Sequence, residues 1–157
     1  MVNNALFSNN TDEWATPEEF YKKLDALYRF DLDPCATAEN AKCKKFYTQQ
    51  TDGLKQHWTG HTVFCNPPYS GIKLWVEKCY VEANESAKVC VMLIPSRTDT
   101  KYWHEWISRA NRVIFVRGRL RFGHAKNVAP FPSCVVEFRR NREMNPIMAF
   151  MDRKNTQ

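Results

Sequence analysis

Thr62-Val63-Phe64-Cys65-Asn66-Pro67-Pro68-Tyr69 decides the reading of this chain: a β-branched and aromatic run, the pattern of a buried strand, leads straight into an asparagine, two prolines and a tyrosine. The tetrapeptide cannot continue a strand ladder. Neither proline carries an N–H, each ring fixes φ, and the residue before a proline is held extended. The carbonyls here are therefore free to face a ligand instead of a neighbouring strand. Asn66 adds a side-chain carbonyl oxygen and Tyr69 a flat aromatic face. Two acceptors beside an aromatic plane suit a planar base with an exocyclic amine. An NH2 group that donates both protons to the Asn66 oxygen and the Pro67 carbonyl becomes more tetrahedral, and its lone pair is released for attack on an electrophilic methyl group. A strand-ending turn would account for the prolines but not for the whole set.

Outward from this point, strands and helices alternate. Thr16-Pro17-Glu18-Glu19 has the form of a capping box with proline at the first helical position, and Phe20, Leu24 and Leu27 recur at helical spacing, predicting a helix from Pro17 to Tyr28. Short strands are predicted at Phe30 to Asp33, ended by Pro34, and at Lys45 to Thr48. After the tetrapeptide, Ile72, Trp75, Val76, Cys79, Tyr80 and Ala83 trace the apolar stripe of a helix from Gly71 to Asn84. Val89 to Ile94 is apolar without interruption, as in a central parallel strand covered on both faces. A helix from Thr100 to Ala110 follows, then strands at Val113 to Val116, Cys134 to Phe138 and Ile147 to Phe150. This order predicts an α/β fold with a mainly parallel sheet. Ligands in such sheets bind beyond the carboxyl ends of the strands, where Asp33-Pro34 and Asn66 would stand.

The chain has 157 residues, 43% of them apolar, enough for one ordinary core, so a single domain over 1–157 is expected. The longest apolar stretch is far shorter than a membrane span and the first ten residues are polar, which predicts a cytoplasmic protein with no membrane partner. The six cysteines include no Cys-x-x-Cys pair and no zinc-finger spacing, and read as reduced core thiols with no metal. Charge is lopsided. Residues 1–96 hold 10 Lys/Arg against 12 Asp/Glu, whereas residues 97–157 hold 13 against 5. Arg117, Arg119, Arg121 and Lys126 crowd one stretch and Arg139 and Arg140 another, with Phe115, Phe122 and Phe131 interleaved. Basic residues among aromatics form the footprint expected on nucleic acid; a solvated basic face is the alternative.

With these motifs in place, the chain resembles a known family. Asn66-Pro67-Pro68-Tyr69 is the amino-methyltransferase signature shared by DNA N6-adenine methyltransferases, related RNA enzymes and glutamine-N5 protein methyltransferases. Trp14-Ala15-Thr16-Pro17, Asp31-Leu32-Asp33-Pro34-Cys35-Ala36, Glu39-Asn40-Ala41-Lys42-Cys43 and Asp52-Gly53-Leu54 narrow the resemblance to the phage-type, Dam-like DNA N6-adenine methyltransferases, from Trp14 to about Phe138. The resemblance implies an abridged Rossmann-like class I methyltransferase fold, mainly parallel with an antiparallel C-terminal strand. It also implies S-adenosylmethionine as cofactor and DNA as substrate, and leaves monomer or homodimer open.

The residues agree with that cofactor in one respect. No Gly-x-Gly-x-x-Gly follows the first strand, and the chain holds only 5 glycines, which argues against a dinucleotide and its pyrophosphate. A carboxylate at the end of the first strand can instead hold an α-amino group by a charge-assisted hydrogen bond. The resemblance places Asp33-Pro34 at the cofactor motif, with Asp31 as substitute or support. It gives Thr16, in the Trp14-Ala15-Thr16-Pro17 motif, to the methionine carboxylate, counts Trp14 and Asn66 in the cofactor site, and gives Glu39 and Asn40 to the ribose and Asp52 to the cofactor's adenine. Thr16 is also readable as a helix cap, and Asp52-Gly53 as a plain turn. The catalytic set implied is Asn66, Pro67, Pro68 and Tyr69, acting on an adenine flipped out of the duplex. An RNA methyltransferase, a protein glutamine methyltransferase and a binding module with a decayed site remain as alternatives. No separate target-recognition domain is expected, so any reading of sequence would fall to loops such as Gly118 to Ser133 or to a dimer.

Overall fold

The computed structural model describes residues 15–140 and 145–154. Seven strands form one sheet: β1 Leu32–Asp33, β2 Lys45–Phe46, β3 Thr62–Cys65, β4 Val89–Pro95, β5 Arg112–Arg117, β6 Ser133–Phe138 and β7 Ile147–Asp152. Their order across the sheet is β2-β1-β3-β4-β6-β5-β7. The β2, β1, β3 and β4 strands run parallel, β6 lies antiparallel between β4 and β5, and β7 runs parallel to β5. The expected mixed α/β sheet is present, and its antiparallel strand near the carboxy terminus is the interior β6, with β7 at the edge.

Helices α1 Glu18–Tyr28, α2 Ile72–Glu85 and the short α3 Lys101–Glu105 pack on the sheet. One face carries Phe64, Val91, Leu93, Ile114, Val116 and Val135 against Phe20, Tyr21 and Leu24 of α1. The opposite face carries Val63, Cys65, Cys90, Met92, Ile94, Cys134 and Val136 against Trp75, Val76 and Cys79 of α2 and Tyr102 of α3. Cover on both sides buries every residue of β4, the reason that its sequence lacks a polar alternation. Each fully buried Val, Leu, Ile or Phe stabilises the fold by about 1.5–3 kcal/mol, so these two layers fix where the carboxyl ends of β1, β3 and β4 meet.

Three local expectations change. The helix predicted from Thr100 to Ala110 is only one turn of α-helix, followed by a 3-10 turn at Ile107–Arg109. The two strands predicted at Phe30 to Asp33 and Lys45 to Thr48 shorten to two residues each. At α1 the capping box does not form: Pro17 is the N-cap, with no side-chain cap bond among the described residues. Thr16 turns elsewhere. All six cysteines are free thiols. No helix among the described residues is long and apolar enough to cross a membrane.

Candidate active site

Strand β3 stops where its sequence stops being able to pair. Asn66 follows Cys65 at the carboxyl end, Pro67 is buried, Pro68 is exposed and extended, and a 3-10 turn at Tyr69–Gly71 leads into α2. The Asn66 amide nitrogen donates to the Thr16 hydroxyl at 3.1 Å. This bond joins the tetrapeptide to Thr16, which lies two residues ahead of α1 and is only 4% exposed. In this arrangement the Asn66 side-chain oxygen lies on the branch turned away from Thr16. The Asn66 main-chain oxygen accepts from the Cys35 thiol at 3.4 Å, and Cys35 lies 3.6 Å from Cys65, sulfur to sulfur. Cys35 belongs to the Asp33-Pro34 motif, yet its residue type predicted no role there. Its only signal was its position one residue past the strand-ending proline.

Tyr69 meets Phe131 edge-on, with ring centroids 5.3 Å apart and an interplanar angle of 86°. Burial pushes the Tyr69 phenol well above its ordinary range, with Arg97 opposing weakly, so the ring is a neutral plane at neutral pH. Phe131 belongs to the loop between β5 and β6 and packs in turn on Phe122 at 6.1 Å.

Asp33 ends β1 one strand away from Asn66 and is 5% exposed. Its carboxylate accepts the backbone N–H of Lys42 at 3.0 Å and that of Cys35 at 3.4 Å. Burial raises its pKa from 3.8 to about 6, and the two backbone donors hold it from rising further. The Lys42 ammonium goes instead to Glu18 at 2.8 Å. A buried carboxylate held mainly by backbone N–H groups fits a cationic partner, because paired charge is what makes such burial tolerable. Beside it, Thr16, Glu18, Glu39, Asn40, Lys42 and His124 are among the residues lining an open cleft of about 390 Å³. Thr16, Glu39 and Asn40, chosen from the sequence, thus share one cleft; Lys42 and His124 were not foreseen.

Asp52 adopts a left-handed conformation, φ 51°, caps the 3-10 turn at Gly53–Lys55 by accepting from Leu54 N–H at 3.2 Å, and pairs with Lys55. The turn is pressed onto the Asp33-Pro34 corner: a Cβ on Gly53 would stand 2.0 Å from the Pro34 carbonyl oxygen. Asp52 and Pro34 are thereby neighbours across the carboxyl ends of β1 and β2. Asp31 is not brought into this group. It precedes β1 and is exposed, and its carboxylate is occupied by Thr62 N–H at 2.9 Å and His61 at 3.1 Å, at the amino end of β3. Period-two spacing put both aspartates on one face, but the strand separates them along its length. Trp14 lies outside the described residues.

The basic residues also divide. Strand β5 ends at Arg117 on the same side as Asn66, and Arg119, Arg121 and Lys126 follow in an exposed loop whose Leu120, Phe122 and Ala129 are buried. Strand β6 runs the other way, so Arg139 and Arg140 stand at the amino end of the parallel strands, with Arg139 paired to Glu137 at 2.8 Å. They do not join the surface around Tyr69. Arg117 is itself paired to Asp152.

Comparison with known proteins gives the family. A family model described as DNA N-6-adenine-methyltransferase (Dam) matches residues 4–157. A DNA N-6-adenine-methyltransferase of Escherichia phage T1 is 36% identical over 111 residues, which cover 69% of this chain and 46% of that protein. The chain therefore spans about half the length of that relative. A DNA N-6-adenine-methyltransferase of Haemophilus phage HP1 is 29% identical over 118 residues, 74% of this chain and 68% of the relative. A protein of Escherichia coli K12 described as putative methyltransferase YfdM is 32% identical over 65 residues, 37% of this chain and 71% of the relative. A family match over nearly the whole length, on a sheet whose carboxyl ends gather Asn66, Tyr69 and Asp33, makes the chain a member of the DNA N-6-adenine-methyltransferase (Dam) family.

Proposed function

We propose that this protein transfers a methyl group to the N6 amine of adenine in DNA, with S-adenosylmethionine as methyl donor. When bound, that cofactor supplies a methyl group on a positively charged sulfur. Everything else is done by the chain. Asp33 takes the cofactor's ammonium, with Thr16 and Glu39 lining the same cleft and Asp52 at the neighbouring turn. Asn66 and the Pro67 carbonyl accept the two N6 protons of a flipped adenine, which turns the nitrogen lone pair toward the methyl group. Tyr69 supports the base plane. Catalysis by these residues would be orientation and electrostatics, with the methyl supplied by the bound cofactor and the surplus N6 proton leaving to solvent. No nucleophilic cysteine is required.

The observation that supports this reading is the Asn66–Thr16 hydrogen bond, which holds the Asn66 side chain at the carboxyl end of β3, just ahead of the turn that carries Tyr69. Expression in a methylation-free host, followed by sequencing of modified bases, tests it. N6-methyladenine in a defined context is expected from the natural chain and should be lost with Asn66→Ala. Loss of one orienting hydrogen bond costs about 2.7–4 kcal/mol of activation energy, while cofactor affinity by calorimetry should stay within a few fold. Label on RNA alone, or N6-methyladenine undiminished in a folded Asn66→Ala protein, would overturn the assignment.

A further inference from the structure

Ser133 opens β6 opposite Pro95 of β4, is 2% exposed, and its hydroxyl has no hydrogen-bond partner among the described residues. A hydroxyl buried in that way is costly, because it has lost water and gained nothing in exchange. The strand alternation shows which way it faces. Cys134 and Val136 belong to the core under α2 and α3, and Val135 to the core under α1, so Ser133 points to the α1 side. Asn66 points to that side as well, since its amide bonds Thr16 ahead of α1. Strands β3 and β6 flank β4, about 10 Å apart at the usual spacing of neighbouring strands. Asn66 follows the partner of Met92 and Ser133 is the partner of Pro95, so the two residues flank the carboxyl end of β4 on its α1 side.

Two further contacts place Ser133 at the base site. Phe131, two residues earlier, is the ring that meets Tyr69. Pro132, next to it, is pinned by Ser96 N–H donating to its carbonyl at 2.9 Å, so the start of β6 is held rigidly. Two other buried hydroxyls also have no hydrogen-bond partner among the described residues, Ser96, which neighbours Cys134, and Tyr102. Tyr102 and Cys134 both belong to the α2 side.

We propose that Ser133 is a specificity-determining residue: its hydroxyl donates to a ring nitrogen of the flipped adenine while Asn66 holds the amine. The assignment rests on the reading of the chain as an adenine-N6 methyltransferase. It makes the unbonded hydroxyl a feature kept for substrate at the expense of the free protein. Ser133→Ala should therefore leave the melting temperature unchanged or higher and cofactor affinity unchanged, while kcat/KM on a duplex carrying the mapped site falls about tenfold. Ser133→Cys, a weaker donor of similar size, should fall between them.

The closing measurement is a cycle with 1-deaza-, 3-deaza- and 7-deazaadenine at the target position. The penalty of Ser133→Ala should vanish on the one analogue that lacks the accepting nitrogen and persist on the other two. A penalty equal on all three analogues, or one accompanied by a lowered melting temperature, would mean a structural role and overturn the proposal. Wild-type kcat/KM in both Ser133 variants would overturn it too, while leaving the methyltransferase reading intact. No methyl transfer to adenine in DNA by the unaltered chain would instead remove that reading, and this inference with it.

Discussion

Asp33 shows how one residue's burial sets both stability and ligand response. Its pKa in the folded protein, about 6, lies above the ordinary 3.8 because burial disfavours the charged form. The folded state thus holds the proton to higher pH than the unfolded chain. The stability associated with it is complete below pH 3.8 and is lost as pH rises through about 6. A tenfold difference in proton affinity between the folded and unfolded states is equivalent to about 1.4 kcal/mol. The ligand-free protein should therefore lose on the order of 3 kcal/mol across that interval, and Asp33→Asn should flatten the curve. Cofactor binding should run the other way, since a cationic ammonium needs the ionised carboxylate. Calorimetric affinity is expected to rise as pH crosses about 6; an affinity independent of pH there would remove Asp33 from the cofactor site.

At the scale of elements, the Asp52-Gly53 turn and the loop from Gly118 to Pro132 are held by opposite means. The turn is held by contact. A side chain at Gly53 would strike the Pro34 backbone, with Trp75 at 3.2 Å closing the remaining space, while the Gly53 carbonyl accepts from the Trp58 indole at 3.0 Å. Backbone cannot give way as a flexible side chain can. Gly53→Ala should accordingly destabilise the fold by about 1–3 kcal/mol and, by displacing Asp52 from the end of β1, weaken cofactor binding. Thermal unfolding read beside calorimetry would check it, and an unshifted melting temperature would show that the turn is looser than its contacts imply. The loop is held by anchors: Leu120, Phe122 and Ala129 are buried, Ala129 N–H bonds Leu120 at 2.7 Å, and Gly123 N–H bonds Ala15 at 2.8 Å. Alternation with these anchors turns Arg119 and Arg121 outward.

For the whole molecule, the sheet sorts the basic residues by strand direction. Arg119 and Arg121 follow β5 at the end where Tyr69 stands, whereas Arg139 and Arg140 follow the reversed β6 to the other end. Each phosphate contact contributes about −0.9 to the slope of log affinity against log salt. Arg119→Glu with Arg121→Glu should therefore reduce the magnitude of that slope by nearly two, and Arg139→Glu with Arg140→Glu should leave it in place. Fluorescence anisotropy on labelled duplex across a salt series measures both. A larger effect from the second pair would put the DNA on the opposite face of the protein.

Much of this was written in local pattern. The run Thr62 to Tyr69 specified its strand and its ending, because alternation, β-branching and proline act within a few residues; β3 begins and ends where the sequence placed it. The unbroken apolar stretch at Val89 likewise announced a strand covered on both faces. Local pattern misled at Thr16, where a residue suited to cap a helix gives its hydroxyl to Asn66, fifty positions away. It was silent on Asp31 against Asp33, on Arg121 against Arg139 and on Ser133. In each pair the residues are chemically alike, and their difference lies in which end or face of the sheet they occupy. Strand order and direction come from packing between segments distant in sequence, so only the tertiary structure could decide which carboxylate is buried, which arginines face Tyr69 and which hydroxyl is left without a partner among the described residues.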